Sequence, residues 1–234
     1  MARIARVVAA QVPHHVVQRG NRRQPVFFST ADYKAYLRMM AAWCGQERVE
    51  IWAYCLMPNH VHLVAVPETE QGLARAIGEA HRRYTVRVNQ RENWRGYLWQ
   101  GRFSSYPLDE QYLLAAVRYV ELNPVRAGLA ERPWQYCWSS AAAHIRGRDD
   151  ALVKVKPMLS RVRDWREYLS SQQDSTDMEL VRRHTRNGRP LGNRDFVESL
   201  EARTGRTLVP LKRGPKPRAS STMKCNTWEA RSMR

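Results

Sequence analysis

The chain has 234 residues, 43% of them hydrophobic, and a formal net charge of +17 at pH 7. No stretch approaches the roughly 18 consecutive apolar residues of a membrane-spanning helix, and the N-terminus lacks the apolar core of a secretory signal. The basic residues are spread through the chain, and neutralised phosphates release counterions, so the charge favours a nucleic acid over a membrane surface as partner.

Hydrophobic periodicity predicts alternating strands and helices. The predicted strands span residues 14–20, 49–57, 60–66 and 97–106, and the predicted helices span residues 29–47, 70–92 and 109–123. The order β-α-β-β-α-β with a trailing helix is typical of an α+β, ferredoxin-like (RRM-like) antiparallel sheet. We expect helices on one face of this sheet and an open face on the other.

The character of the sequence changes near residue 148. We interpret residues 1–148 as one domain and 149–234 as a basic C-terminal extension with one short helix at 193–205. Residues 207–234 are rich in Pro, Gly, Ser and basic side chains, which predicts a flexible arm. Its "RGPKPR" stretch, with Arg213, Lys216 and Arg218, is either a DNA-binding hook or a solvated tail.

Four cysteines, at positions 44, 55, 137 and 225, lie far apart and form no CxxC pair. This spacing argues against a zinc finger or a disulfide framework. Reduced thiols and a cytoplasmic location are the expectation.

Two histidines stand where a strand would normally carry apolar side chains. In "YCLMPNHVHLV", His60 and His62 are two residues apart and therefore point to the same face of their strand. Such a pair can converge on one divalent cation, although ordinary surface or core histidines give the same pattern.

A tyrosine and an asparagine share one face of the helix predicted at 109–123. Tyr119 and Asn123 lie four residues apart in "RYVELNPVRAGL", so Tyr119 can turn its phenol toward the sheet. Core packing is the alternative for Tyr119. For Asn123 the alternative is a helix N-cap, with Pro124 in the first turn.

Together with "PHHVVQRGNRRQPVFF" and "LWQGRFSSY", these two motifs occur in an order and spacing that resemble a known family, and the resemblance covers residues 10–145, with "WQYCWSSAAAHI" at its end. The sequence resembles the single-tyrosine His-hydrophobic-His (HUH) transposases, most closely the REP-associated tyrosine transposases. The resemblance implies that Tyr119 is the nucleophile and that His60, His62 and Asn123 hold Mg²⁺ or Mn²⁺. It also implies cleavage and transfer of single-stranded or hairpin DNA through a 5′-phosphotyrosine, in a prokaryotic, nucleoid-associated protein.

Several basic and aromatic residues are candidates for contact with the DNA strand. These candidates are Arg82, Arg83, Arg87, Arg102 and Phe103, each arginine having a solvated surface charge as the alternative. The resemblance leaves a monomer or a homodimer open, and we expect a monomer. A non-catalytic hairpin-binding module and a metal-dependent hydrolase remain as alternative functions.

Overall fold

The computed structural model describes residues 4–171 and 175–209, and within them it contains one four-stranded antiparallel sheet of order β2-β3-β1-β4. The strands are β1 (His14–Arg19), β2 (Val49–Met57), β3 (His60–Pro67) and β4 (Ser104–Pro107). Strand β3 pairs antiparallel with both β2 and β1, so β1 and β2 run parallel on either side of it. This arrangement confirms the predicted α+β, ferredoxin-like sheet.

Two long helices cover one face of the sheet, as predicted. Helix α1 (Thr30–Gln46) connects β1 to β2, and helix α2 (Gly72–Glu92) connects β3 to β4. Alternate residues of the central strands, such as Val16, Val61 and Leu63, point to this face and pack against buried α1 and α2 side chains. We call this layer the first core.

The opposite face is not open, which corrects the expectation of a free face. Helices from the second half of the chain cover part of it, and their apolar side chains pack on the alternate strand residues Cys55, Val64 and Tyr106. These helices are α3 (Glu110–Glu121), α4 (Asn123–Arg126), α5 (Ala141–Arg146), α6 (Lys156–Leu159), α7 (Trp165–Ser170) and α8 (Ser175–Asn187). We call this layer the second core.

The fourth strand is much shorter than the predicted 97–106. Gly96 and Gly101 adopt positive φ values of 96° and 78°. The segment before β4 forms an isolated bridge between Trp99 and Gly20, and the Gln100 amide donates to the Arg19 carbonyl oxygen at 2.8 Å. The curled segment buries Phe103 and the consecutive residues Leu98 and Trp99 in the first core. In an extended strand, Leu98 and Trp99 would point to opposite faces.

The C-terminal extension packs against the rest of the chain as far as the structure describes it. Helix α9 (Arg194–Thr204) matches the helix predicted at 193–205. A small third cluster joins Leu200 and Leu208 to Val7 and Ala9 of the N-terminal segment. Within the predicted arm only residues 207–209 are described, so Arg213, Lys216 and Arg218 lie outside the described residues.

None of the helices in the described ranges is long and apolar enough to cross a membrane.

Candidate functional site

The two predicted histidines lie side by side at the start of β3, on the face that carries the second core. The turn at Pro58 and Asn59 reverses the chain, so His60 pairs with Arg19 of β1 and His62 pairs with Val17. The ring centroids of His60 and His62 are 5.0 Å apart, with the ring planes at 77°. The structure therefore brings the His-x-His pair together as the strand period predicts.

A hydrogen bond on its Nδ1 fixes the orientation of the His60 ring. The Oδ1 atom of Asn59 lies 2.6 Å from this Nδ1, and the Nδ2 group of Asn59 donates to the carbonyl oxygen of Arg23 at 3.0 Å. Since Asn59 Oδ1 accepts, His60 Nδ1 carries the proton, and Nε2 has its lone pair available for a ligand. Burial and the charge of Arg19 lower the pKa of His60 to about 3, so the ring is neutral, as a metal ligand must be.

His62 is only 3% exposed and is held by a third histidine, which sequence reasoning did not single out. His15 of β1 stacks on His62 with centroids 5.1 Å apart, and its Nε2 lies 2.9 Å from His62 Nδ1. Burial lowers the pKa of His15 to about 3 and places the pKa of His62 well below its ordinary value, with further lowering from neighbouring His60 and His15. Both rings are therefore neutral.

Tyr119 is brought to these histidines by helix α3. The helix begins after Asp109, whose side chain accepts a hydrogen bond from the amide of Tyr112, and its apolar stripe lies in the second core. The Tyr119 ring is half-buried, with its centroid 5.8 Å from that of His62 and 6.1 Å from that of His15.

One arginine is fixed against this tyrosine. The guanidinium of Arg126 lies 4.1 Å from the centroid of the Tyr119 ring and donates to the Tyr119 carbonyl oxygen at 2.6 Å. A cation in this position stabilises negative charge that develops on the phenol.

Asn123 is not a helix cap, so the capping alternative is wrong. Helix α4 has Leu122 as its N-cap and begins at Asn123 itself, with Pro124 in its first turn. The Asn123 side chain lines the same cleft as the histidines, and its amide Nδ2 is buried without a hydrogen-bond partner among the described residues. A residue that lines a cleft and whose buried amide nitrogen has no hydrogen-bond partner fits a ligand-binding role.

These residues share a cleft of about 850 Å³, which we call the histidine cleft. Its lining residues are Val17, Gln18, Arg19, Arg23, His60, His62, Gln100, Arg102, Ser104, Tyr119, Asn123, Arg182, Thr185 and Arg186. The described lining contains five arginines and no carboxylate, so it favours an anionic ligand. Arg182 and Arg186 come from α8 of the extension, and only the basic composition of "VRRHTR" hinted at them in the sequence.

The predicted DNA-contacting residues are divided between two faces of the molecule. Arg102 lines the histidine cleft and also a second groove of about 690 Å³, between α2 and residues 96–103, which we call the α2 groove. Arg82 lines this groove, and it pairs with Glu79, as Arg83 does. Arg83 and Arg87 line a shallower depression between α1 and α2, on the side of the sheet away from the histidines.

Phe103 does not offer its ring for stacking on a base in this structure. It is only 5% exposed, it packs in the first core, and the guanidinium of Arg6 lies 4.0 Å from its ring centroid. The more accessible aromatic residue of the α2 groove is Tyr97, which is 84% exposed and which the sequence pattern did not single out.

A buried carboxylate fixes the end of α3 between Tyr119 and Asn123. Glu121 is fully buried and accepts hydrogen bonds from Ser140 Oγ, His144 Nδ1 and Trp165 Nε1 at 2.5, 2.7 and 2.8 Å. This network joins α3 to helices α5 and α7. The sequence around Glu121, "YVELN", does not distinguish this residue from a surface glutamate.

The donor set of the histidine cleft fits a divalent cation. Two neutral imidazoles and one amide are nitrogen and oxygen donors that Mg²⁺, Mn²⁺ or Zn²⁺ accept to differing degrees. Three protein donors leave further coordination positions for a phosphate oxygen or water.

A ferredoxin-like sheet that presents a His-hydrophobic-His pair to a helix-borne tyrosine defines the class of single-tyrosine HUH proteins. The model of the family described as IS200-like transposases matches residues 9–123, a range that includes both histidines, Tyr119 and Asn123. The chain belongs, through these residues, to the IS200-like transposase family.

The solved structures that are similar to this chain include two transposases. One is a REP-associated tyrosine transposase bound to a REP hairpin, with 19% identity and a TM-score of 0.55 over 66% of this chain and 93% of that one. The other is a putative transposase from Deinococcus radiodurans R1, with 22% identity and a TM-score of 0.34 over 47% of this chain and 88% of that one. The first is a likeness of fold. No curated protein sequence matches the chain.

Proposed function

We propose that this protein cleaves single-stranded DNA beside a hairpin and transfers the strand through a covalent 5′-phosphotyrosine on Tyr119. One observation carries the proposal: the Tyr119 ring lies 5.8 Å from the ring of His62 in a cleft lined by arginines. A nucleophile, a pair of metal-ligating imidazoles and an anion-binding surface are the parts that phosphodiester transfer requires. The family membership supports a transposase-like role on DNA.

The attack is an exchange of one phosphorus–oxygen bond for another. The Tyr119 phenolic oxygen forms a bond to phosphorus, and the bond from phosphorus to the 3′ oxygen breaks. The 3′ oxygen leaves with a proton as a free hydroxyl. A phenol ordinarily ionises only near pH 10, so it needs help at neutral pH. Arg126, stacked on the ring, and Arg19, which lines the same cleft and interacts electrostatically with Tyr119, stabilise the developing negative charge.

His60, His62 and Asn123 would hold Mg²⁺ or Mn²⁺ in this site. When bound, the cation supplies positive charge to a non-bridging phosphate oxygen and so makes the phosphorus more electrophilic. The family is generally metal-dependent, which supports this assignment.

The covalent link preserves the energy of the broken bond. A second 3′ hydroxyl can attack the phosphotyrosine, restore a phosphodiester and release Tyr119 without ATP. Strand transfer is then the reverse of cleavage with a different 3′ end. This reversibility distinguishes the proposal from simple hydrolysis.

The single strand would run from the histidine cleft into the α2 groove. The two depressions share the lining residues Gln18 and Arg102, so a strand that leaves one can reach the other past these side chains. Tyr97 offers a surface for base stacking and Arg82 a phosphate contact, while the remaining basic candidates would extend the footprint. The remaining candidates are Arg83, Arg87, Arg213, Lys216 and Arg218.

A hairpin is the proposed substrate because the solved structure of similar fold holds a REP hairpin. We expect the protein to act as a monomer, with a homodimer as the alternative, on DNA in the cytoplasm. The salt dependence that follows from five cleft arginines would make binding tighter at low ionic strength.

The test uses the full chain, Mn²⁺ or Mg²⁺, and an end-labelled hairpin with single-stranded flanks. A denaturing gel should show cleaved DNA and a band shifted by covalently attached protein. Tyr119→Phe should bind the hairpin and give neither product. Tyr112→Phe is the matched control, because Tyr112 lies on the same helix but does not line the histidine cleft, and it should behave as the wild type.

Three outcomes would contradict the proposal. Cleavage by Tyr119→Phe at the wild-type rate would exclude this nucleophile. Cleavage by the wild type without a protein–DNA link would indicate a hydrolase that activates water. Tight hairpin binding with no cleavage under any divalent cation would indicate a non-catalytic binding module.

A further inference from the structure

We infer that His15 is a positioning residue that fixes the proton of His62 on Nδ1 and keeps Nε2 of His62 free for the metal. The inference rests on the metal site of the proposed function, but it concerns a residue outside the ligand set. His15 is fully buried, does not line the histidine cleft and touches His62 from β1.

A chain of three hydrogen bonds runs from helix α8 to His62. Tyr106 Oη donates to the carbonyl oxygen of Val181 at 3.1 Å, His15 Nδ1 lies 2.8 Å from Tyr106 Oη, and His15 Nε2 lies 2.9 Å from His62 Nδ1. The three side chains that these hydrogen bonds connect, Tyr106, His15 and His62, are buried, with at most 3% exposure. We call it the His15 relay.

The carbonyl group at one end sets the direction of every bond in the His15 relay. A carbonyl oxygen only accepts, so the inference places the single proton of the Tyr106 hydroxyl in the hydrogen bond to Val181, whose carbonyl oxygen also accepts from Thr185 Oγ1 at 2.8 Å. With the proton in that position, the Tyr106 oxygen accepts from His15 Nδ1–H. A neutral His15 with its proton on Nδ1 has a lone pair on Nε2, which accepts from His62 Nδ1–H. The proton of neutral His62 is thereby assigned to Nδ1.

This assignment matters because an imidazole nitrogen that carries a proton cannot bind a metal. If the His15 relay ran in the opposite direction, Tyr106 would donate to His15, His15 to His62, and the proton of His62 would occupy Nε2. Ligation by Nε2 would then require a change of tautomer inside a buried stack. His60 needs no such partner from another strand, because Asn59, its neighbour in the chain, accepts from its Nδ1.

The His15 relay also ties the C-terminal extension to the proposed metal site. Val181 belongs to α8, which packs on β4 through Ser104 Oγ donating to the Thr185 carbonyl oxygen as well. Helix α8 therefore supplies both the wall of the histidine cleft and the acceptor that sets the His15 relay.

The experiment measures the tautomer of His62 and the affinity for Mn²⁺ in the DNA-free, full-length protein. The tautomer is observed by ¹H–¹⁵N NMR of the imidazole nitrogens without metal, and Mn²⁺ binding by electron paramagnetic resonance. We expect His62 to show the Nδ1–H tautomer in the wild type. His15→Phe keeps an aromatic ring but has no acceptor, so it should weaken Mn²⁺ binding by about 10- to 100-fold.

His15→Gln provides the conservative comparison. Its amide oxygen can reach the place of the His15 Nε2 acceptor, so it should keep His62 in the Nδ1–H form and bind Mn²⁺ within a few-fold of the wild type. A merely structural role of His15 would instead make both variants lose affinity in proportion to their loss of thermal stability, and this result would overturn the inference. An Nε2–H tautomer of His62 in the wild type would overturn it as well, even if His15→Phe did not fold.

The inference and the proposed function fail in different ways. If the covalent adduct never forms, yet the tautomer and Mn²⁺ affinities change as expected, the inference stands and the strand-transfer proposal falls. If the adduct forms and His15→Phe binds Mn²⁺ as the wild type does, the inference falls and the strand-transfer proposal stands.

Discussion

Replacing Glu121 by alanine removes a buried carboxylate that holds the end of α3 in place. The side chain accepts hydrogen bonds from Ser140, His144 and Trp165, and no part of it reaches solvent. Without the carboxylate, these three donors stay buried and lose their acceptor. The position lies two residues from Tyr119 and two from Asn123, so the loss falls on the segment that carries both.

The size of the effect follows from the number and burial of the bonds. Removing one partner from a buried, hydrogen-bonded charge network costs about 3–5 kcal/mol, and a single charged hydrogen bond contributes about 1.5–3 kcal/mol. We therefore expect Glu121→Ala to lower the free energy of unfolding by about 4 kcal/mol. Glu121→Gln keeps one accepting oxygen but turns an amide donor toward another donor, so we expect about 2 kcal/mol.

Urea unfolding monitored by tryptophan fluorescence measures this change, and Trp165 reports directly on the network. In a protein of this length, 4 kcal/mol corresponds to a decrease in Tm of roughly 8–16 °C. Glu110→Gln is the matched control, since Glu110 lies on the same helix in an exposed ion pair with Arg161 and should change stability by less than about 1 kcal/mol. A Glu121→Ala protein as stable as the Glu110→Gln protein would refute the reasoning.

Two further predictions concern the histidine cleft. Asn123→Asp replaces the amide by a carboxylate and should tighten Mn²⁺ binding, whereas Asn123→Ala should weaken it. Calorimetric titration measures both affinities, and equal affinities of the two variants would exclude Asn123 as a ligand. The double variant Arg182→Gln/Arg186→Gln should reduce the slope of log binding constant against log salt by about 1.4 for single-stranded DNA, because each phosphate contact contributes about 0.7. Arg183 lies on the same helix but outside the cleft, so Arg183→Gln should leave that slope unchanged. An equal reduction of the slope by this control would show that the two cleft arginines have no special role.

The sequence predicted the elements whose period is clear and whose partners are near in the chain. Strands β2 and β3 and helices α1, α2 and α3 all lie close to their predicted bounds. The two-residue period of a strand alone predicts that the side chains of His60 and His62 lie side by side on one face. The apolar residues of α3 predicted which side of this helix packs on the sheet, and Tyr119 can point toward the strands from there.

What the sequence did not predict depends on contacts between distant segments. Helices α5, α7 and α8 also cover the second face of the sheet, and no local pattern in the sequence indicates that they return to it. His15 looked like one residue of a histidine doublet, and only its contacts with Tyr106 and His62 show a role. Phe103 was misjudged because two glycines curl its segment into the first core.

Strand β1 has a consequence for how the protein avoids inactive forms. Its even residue Val16 belongs to the first core, and its odd residues His15 and Arg19 face the opposite side, next to His62 and Tyr119. A slip of β1 by one residue against β3 would put His15 and Arg19 among apolar side chains and would remove Val16 from them. The same exchange of faces would destabilise the misaligned sheet and would remove His15 and Arg19 from the proposed site. The register that buries Val16 is therefore the same register that places His15 and Arg19 at the proposed site. A stable sheet with a misassembled site is strongly disfavoured.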